Sequence, residues 1–214
     1  MFLCSKTFYN INLLRKETSV LYRKIKILFI ADTHNELKHD KNALLTLKNE
    51  QDFDCCILLG DHGCDDLKII TELIPVEKIY GVLGNHDEWG RYEQYNIKDI
   101  HCRSMIINGV KIVGLSGSYK YKDTDIYAMI TQQESVELTN KLPYADIFVT
   151  HAESLRGNSD ENLHDGLEGI KTYIDKYDIP YHVHGHMHTN DEINIKNTKS
   201  VGVYGTRIIS FEFN

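Results

Sequence analysis

The chain has 214 residues, 42% apolar and 26% charged, which suits one soluble domain with a well-buried core. A formal net charge of -7 argues against a nonspecific grip on duplex nucleic acid, which needs a basic face. Five cysteines at irregular spacing, with no C-x-x-C, fit a reduced, cytoplasmic setting, and no apolar run is long enough to span a membrane.

Residues 1–23 are basic and lack a clean apolar core or a small-residue cleavage site, so they are expected to be an arm outside a core domain of residues 24–214. The first regular element is "KIKILFIAD", a continuous β-rich apolar run and so a buried strand. "HDKNALLTLKNEQ" has apolar residues at helical spacing. "DCCILLGD" reads as a second buried strand. "DDLKIITELI" reads as a short helix with acids at its positive end. "EKIYGVLGNHD" is a third strand running into a polar turn. This β-α-β-α-β order predicts a parallel sheet covered by helices.

In "RSMIINGVKIVGLSG" two strand-like runs flank Asn108-Gly109, a hairpin signal. "TQQESVELTNKL" reads as a helix capped by Thr131, with Glu134 three residues on. "ADIFVTH" is another buried strand, "LHDGLEGIKTYIDKY" a helix despite its two glycines, and "IPYHVHGH" a further strand. The last 24 residues look like three short strands. Together these elements predict an α/β fold of two stacked mixed sheets with helices outside.

Each apolar strand ends in residues that bind metals. "FIADTH" delivers Asp32 and His34, "LLGD" Asp61, "VLGNHD" Asn85, His86 and Asp87, "FVTH" His151, and "VHGHMH" His186 and His188. Any one of these is weak evidence, since Asp-x-His or Gly-Asp after a strand is commonly a turn, and glycine before Asp61, Asn85 and His186 permits a tight turn. Five in order, each at the end of a strand where α/β sheets place their functional crevice, point to one shared metal site.

This series resembles the calcineurin-like metallophosphoesterase superfamily over residues 25–214. The resemblance implies a four-layer α/β/β/α sandwich. It implies one metal held by Asp32, His34, Asp61 and His188, and a second by Asp61, Asn85, His151 and His186, with Asp61 bridging. His86 would protonate the leaving oxygen and Asp87 would orient that imidazole. Only two of these ligands are carboxylates, so two divalent ions would leave the centre positive, as a phosphoester needs. Paired ions about 3.5–4 Å apart lower the pKa of a shared water and stabilise phosphoryl oxygens, so a bridging hydroxide is the expected nucleophile. Imidazole-rich ligation favours Mn, then Fe, Zn or Ni, over Mg or Ca.

Around this set, Arg156 is a candidate phosphate clamp and Trp89 a candidate stacking residue, with Tyr119, Tyr121 and Tyr127 nearby. His182 and His184 precede the ligand pair on the strand. Both are expected to be hydrogen-bonded, His184 with a steering role behind the ligands. His62 follows Asp61 and reads either as a residue supporting the ligands or as plain loop. The second motif, "GDHGCDD", lacks the arginine of the protein Ser/Thr phosphatase branch. The chain therefore looks more like the small prokaryotic or phage-type phosphoesterases, often phosphodiesterases. The expectation is a small phosphoester substrate, with no duplex nucleic acid and no membrane; the oligomeric state stays open. The alternatives are a phosphomonoesterase or protein phosphatase on the same fold, a nuclease, and a non-enzymatic scaffold.

Overall fold

A computed structural model describes residues 22–50, 52–155 and 166–213. The chain runs through β1 (Arg23–Ala31), α1 (Lys41–Asn49), β2 (Cys55–Leu58), α2 (Cys64–Leu73), β3 (Ile79–Gly81) and β4 (Lys98–Asp99). It continues with β5 (Ser104–Ile107), β6 (Val110–Leu115), β7 (Ser118–Tyr119), β8 (Met129–Ile130), α3 (Gln132–Asn140) and β9 (Ile147–Thr150). Then follow α4 (Glu168–Tyr177), β10 (Tyr181–His184), β11 (Glu192–Ile195), β12 (Thr198–Gly202) and β13 (Gly205–Phe213).

One sheet has the order β13-β1-β2-β3-β4 and the other β11-β12-β10-β9-β6-β5; β7 and β8 form a small parallel pair. In the first sheet β1 to β4 are parallel and β13 is antiparallel to β1. In the second, β6, β9, β10 and β12 are parallel, and β5 and β11 close the two edges antiparallel.

Why two sheets stack is visible in β1. Its odd residues Ile25, Ile27 and Phe29 join Ile57, Ile112, Val149, Val183 and Phe211 in a core between the sheets. Its even residues Leu28 and Ile30 face the other way, onto Leu47 of α1 and Leu67 and Ile70 of α2. Because successive side chains alternate across a strand, a strand apolar on both faces needs a cover on both. The second sheet repeats this: Val113, Leu115 and Phe148 meet Ile170, Tyr173 and Ile174 of α4. The result is helix, sheet, sheet, helix, the mixed α/β sandwich expected from the strand and helix order.

Local signals behave as their chemistry requires. Asn108 and Gly109 both take positive φ, 50° and 76°, in the two-residue turn between β5 and β6. Thr131 and Glu134 form a reciprocal capping box on α3. Three elements depart from what the sequence pattern predicts. The helix expected from Leu163 starts only at Glu168: Gly166 precedes it, and residues 163–165 lie outside the described segments. The three tail strands exist, but β13 is nine residues long and crosses to the first sheet, along the whole of β1. Arg23, assigned to the arm, already belongs to β1, where it pairs with Asp146 at 2.6 Å and lies over the Phe213 ring. The remainder of the arm, residues 1–21, lies outside the described segments. Among the described residues no helix is long and apolar enough to cross a membrane.

Candidate metal centre

Parallel strands put their carboxyl ends on one side, and here both sheets do so at the same edge. The loops after β1, β2 and β3 carry Asp32, His34, Asp61 and Asn85; those after β9 and β10 carry His151, His186 and His188. Hydrogen bonds lock the two sheets together across this edge. The Asp32 carboxylate accepts the backbone N–H of His186 at 3.0 Å, and His151 Nδ1 lies 2.7 Å from the Leu59 carbonyl.

The donor atoms fall into two groups, each within 4.8 Å: Asp32, His34 and His188, and Asp61, His151 and His186. Asp61 Oδ2 faces both, 3.9 Å from His34 Nε2 and 3.5 Å from His151 Nε2. Asn85 Oδ1 lies 3.0 Å from His151 Nε2, while its Nδ2 donates to the Tyr121 hydroxyl at 3.3 Å.

This donor set is chemically one-sided. The Leu59 carbonyl can only accept, so His151 Nδ1 carries a proton, and once Nε2 gives up its own, a lone pair points inward there. That lone pair meets two further acceptors, Asn85 Oδ1 and Asp61 Oδ2. In the other group His34 Nε2 and His188 Nε2 stand 3.3 Å apart, and His188 Nε2 is 3.6 Å from Asp32 Oδ1. Electron pairs pointed at one another need cations between them, most of all in the buried set of Asp61, Asn85 and His151. The residues present therefore fit divalent metals.

The backbone is bent to achieve this. Asp32, His34, Asp61, His186 and His188 all have positive φ, between 44° and 66°. Left-handed backbone is uncommon for non-glycine residues, and such strain gathers at functional sites. Two of the preceding glycines serve close approach rather than a turn, since neither Gly84 nor Gly185 has positive φ. A Cβ on Gly84 would stand 2.2 Å from Asp61 Oδ1, and one on Gly185 2.8 Å from Asp32 Oδ2.

Electrostatics follow from burial and crowding. Burial first, and the neighbouring Asp61 second, push the Asp32 carboxyl up to about 7, against the pull of His151. At Asp61 burial opposes ionisation, but His151 and the backbone N–H of His86 outweigh it and hold its carboxyl below the usual value. At His151 burial opposes protonation, and the Asp61 and Asp32 carboxylates overcome it, so its pKa rises. A cation would take the place of the protons this cluster retains.

A family model described as calcineurin-like phosphoesterase matches residues 25–190. The chain belongs to the calcineurin-like phosphoesterase family. A search among curated proteins returned no match. Solved structures resemble it at fold level. The protein TT1561 of Thermus thermophilus superposes with a TM-score of 0.56 at 13% identity, covering 85% of this chain and 89% of that one. The phosphopantetheinyl hydrolase of Mycobacterium tuberculosis gives 0.55 at 14%, covering 84% and 89%. An archaeal phosphodiesterase gives 0.53 at 14%, covering 88% and 99%.

Within this phosphoesterase, five of the ligand-type residues border a pocket of about 390 Å3 together with His86, Tyr121 and Met187. The His86 imidazole is exposed and meets His34 edge-on, 5.4 Å between centroids, while its backbone N–H is held by Asp61 Oδ1 at 2.8 Å. Asp87 does not orient that imidazole. Its fully buried Oδ2 accepts the backbone N–H groups of Asp61 and Gly84, at 2.7 and 2.9 Å, and so ties the second motif to the third. Burial, then Asp61, push its carboxyl up to about 6.

His62 is buried, with Nδ1 2.8 Å from the hydroxyl of Thr33, the residue between Asp32 and His34, so it braces the first motif from behind. His184 is buried, stacks on His182 and has Nδ1 3.0 Å from the Gly185 carbonyl. His182 is held at both nitrogens, by Thr150 and Ser200, at 2.9 Å each. Trp89 packs on His101 at 5.1 Å and does not border the pocket. Arg156 lies outside the described residues. Tyr204, which no motif flagged, stacks flat on His188 at 4.8 Å and 17°. A lone tyrosine near the end of a strand-rich tail carries no sequence signal for that contact.

Proposed function

We propose that this chain hydrolyses phosphodiesters with the help of two divalent metal ions, Mn being the first candidate and Fe, Zn or Ni the others. The observation that carries this reading is the single oxygen, Asp61 Oδ2, facing two separate groups of lone pairs. Asp32, His34, Asp61 and His188 would hold one ion; Asp61, Asn85, His151 and His186 the other. Bound there, such ions supply an activated water and neutralise phosphoryl oxygens.

The chain's own residues contribute the rest. His86 stands at the pocket with its backbone fixed by Asp61 and its ring exposed, placed to give a proton to the departing alkoxide. Tyr121 turns the Asn85 amide so that its oxygen faces inward. Asp87 keeps the loops bearing Asp61 and Asn85 at fixed separation. Diesters are favoured over monoesters because no lysine or arginine is among the described residues lining this pocket, and a monoester dianion asks for more positive charge than a diester monoanion. The fold-level neighbour named as a phosphodiesterase supports the same choice.

The test compares bis-p-nitrophenyl phosphate with p-nitrophenyl phosphate, with Mn and with chelator, in the wild type and in Asp61→Ala. Metal-dependent turnover, faster on the diester and lost with both metals in the variant, is expected. Full activity in Asp61→Ala would refute the mechanism.

A further inference from the structure

A second, smaller cleft opens beside the metal pocket. It has a volume of about 150 Å3, shares His34, Asp61 and His86 with that pocket, and is bordered beyond them by Asn35, His62, Gly63 and Arg91. At about 30 Å3 per water it has room for roughly five atoms the size of oxygen, one phosphoryl or carboxylate group.

Arg91 is a largely covered cation whose Nε faces Asp87 Oδ1, an atom that is likewise buried without a hydrogen bond. Its side chain is only 16% exposed, yet its nearest anions are Asp87 Oδ1 at 4.0 Å and Glu88 Oε1 at 3.7 Å, both beyond hydrogen-bond distance. Glu88 is half-exposed, so water screens it. Among the described residues its single hydrogen bond goes from Nη1 to Cys64 Sγ at 3.5 Å, a weak acceptor, and Nε is buried without one. A guanidinium has five donors in a planar fork suited to phosphate and carboxylate. Most of that capacity is unspent, at the border of a cleft continuous with the proposed reaction centre.

Building on the phosphoesterase reading above, we infer that Arg91 makes this cleft a second anion site, so that the preferred substrate carries another phosphoryl or carboxylate group next to the scissile phosphorus. A one-phosphate ligand fills the metal pocket alone; a ligand with two adjacent anionic groups reaches both.

The experiment uses the Mn-loaded protein at fixed free Mn. Orthophosphate, pyrophosphate and phosphonoacetate are compared by titration calorimetry and as inhibitors of bis-p-nitrophenyl phosphate hydrolysis. One of the two-group probes should bind more tightly than orthophosphate, and which one wins assigns a phosphoryl or a carboxylate neighbour. Arg91→Met should cut that preference about tenfold, the scale of a lost charge-assisted pair. Arg91→Lys should cut it less, and Arg103→Met, at an exposed site elsewhere, should keep it. Were Arg91 only a structural partner of Asp87, all three probes would weaken together and the preference would survive; that result overturns the inference. A wild type that binds orthophosphate as well as the other two overturns it without any variant. Absence of hydrolysis would refute the proposed reaction instead, and the calorimetric ratio would still decide the anion site.

Discussion

Gly84→Ala removes no ligand, yet it should empty the metal centre. The added Cβ would stand 2.2 Å from Asp61 Oδ1 and 2.6 Å from His151 Cε1, where real Cβ contacts do not fall below 3.0 Å. The Asp61 carboxylate and the residue 84 backbone must therefore part by 0.8 Å, the difference between 3.0 and 2.2 Å. Metal–ligand distances tolerate only about 0.2 Å. Because Asp61 faces both donor groups, on the two-metal reading proposed above both ions would lose a ligand at once. Metal affinity should drop by at least about tenfold to a hundredfold and turnover by about a hundredfold, while crowding costs about 1–3 kcal/mol of stability. Metal content by mass spectrometry, diester hydrolysis and a melting curve would be measured together. The control is Gly205→Ala, where φ is +72° and nothing lies within 4 Å: it should lose about 1–2 kcal/mol to strain and keep its metals. A Gly84→Ala protein holding wild-type metal with wild-type turnover would refute the close-approach argument.

His86→Ala should retain metals, because the contact to Asp61 is made by its backbone N–H, while turnover falls by about 10²–10⁴-fold. Asp87→Ala leaves two buried N–H groups without acceptors, at about 1–3 kcal/mol each. It should show the larger drop in melting temperature of the two, and a normal melt with impaired turnover would restore a direct catalytic role to Asp87. Burial holds the His182 imidazole well below its ordinary 6.5, so below that pH the unfolded chain takes up a proton that the folded chain refuses. Stability on this account is present above about 6.5 and falls with acid by up to about 1.4 kcal/mol per pH unit. Urea midpoints at pH 7 and pH 5, in chelator, should differ less in His182→Gln than in the wild type; equal differences would contradict the assignment.

What the sequence revealed and what it hid have physical reasons. The candidate ligands were legible because each sits where an apolar run gives way to polar residues, and parallel strands bring such places together without any further information. Asp87 was misread because adjacency to His86 suggests partnership, whereas the turn sends the carboxylate back to the N–H groups of Asp61 and Gly84. Glycine spacing suggested turns; the need to admit the Asp61 and Asp32 carboxylates appears only when three loops are packed. Tyr204 and Arg91 reach their places through the turn between β12 and β13 and a short 3-10 turn, neither of which leaves a periodic pattern. The four-layer order was readable from doubly apolar strands, but the crossing of β13 to the first sheet was not, since its alternation fits either sheet edge.

That crossing has a bearing on synthesis. Arg23 pairs with Phe213, so the first strand of the domain meets its neighbour on one side only after residues 205–213 have emerged from the ribosome. Until then a nine-residue, mostly apolar border with free N–H and C=O groups stays open to strangers. A polypeptide cut short before Gly205 would carry every candidate ligand of the proposed metal centre and still be prone to clump with its siblings.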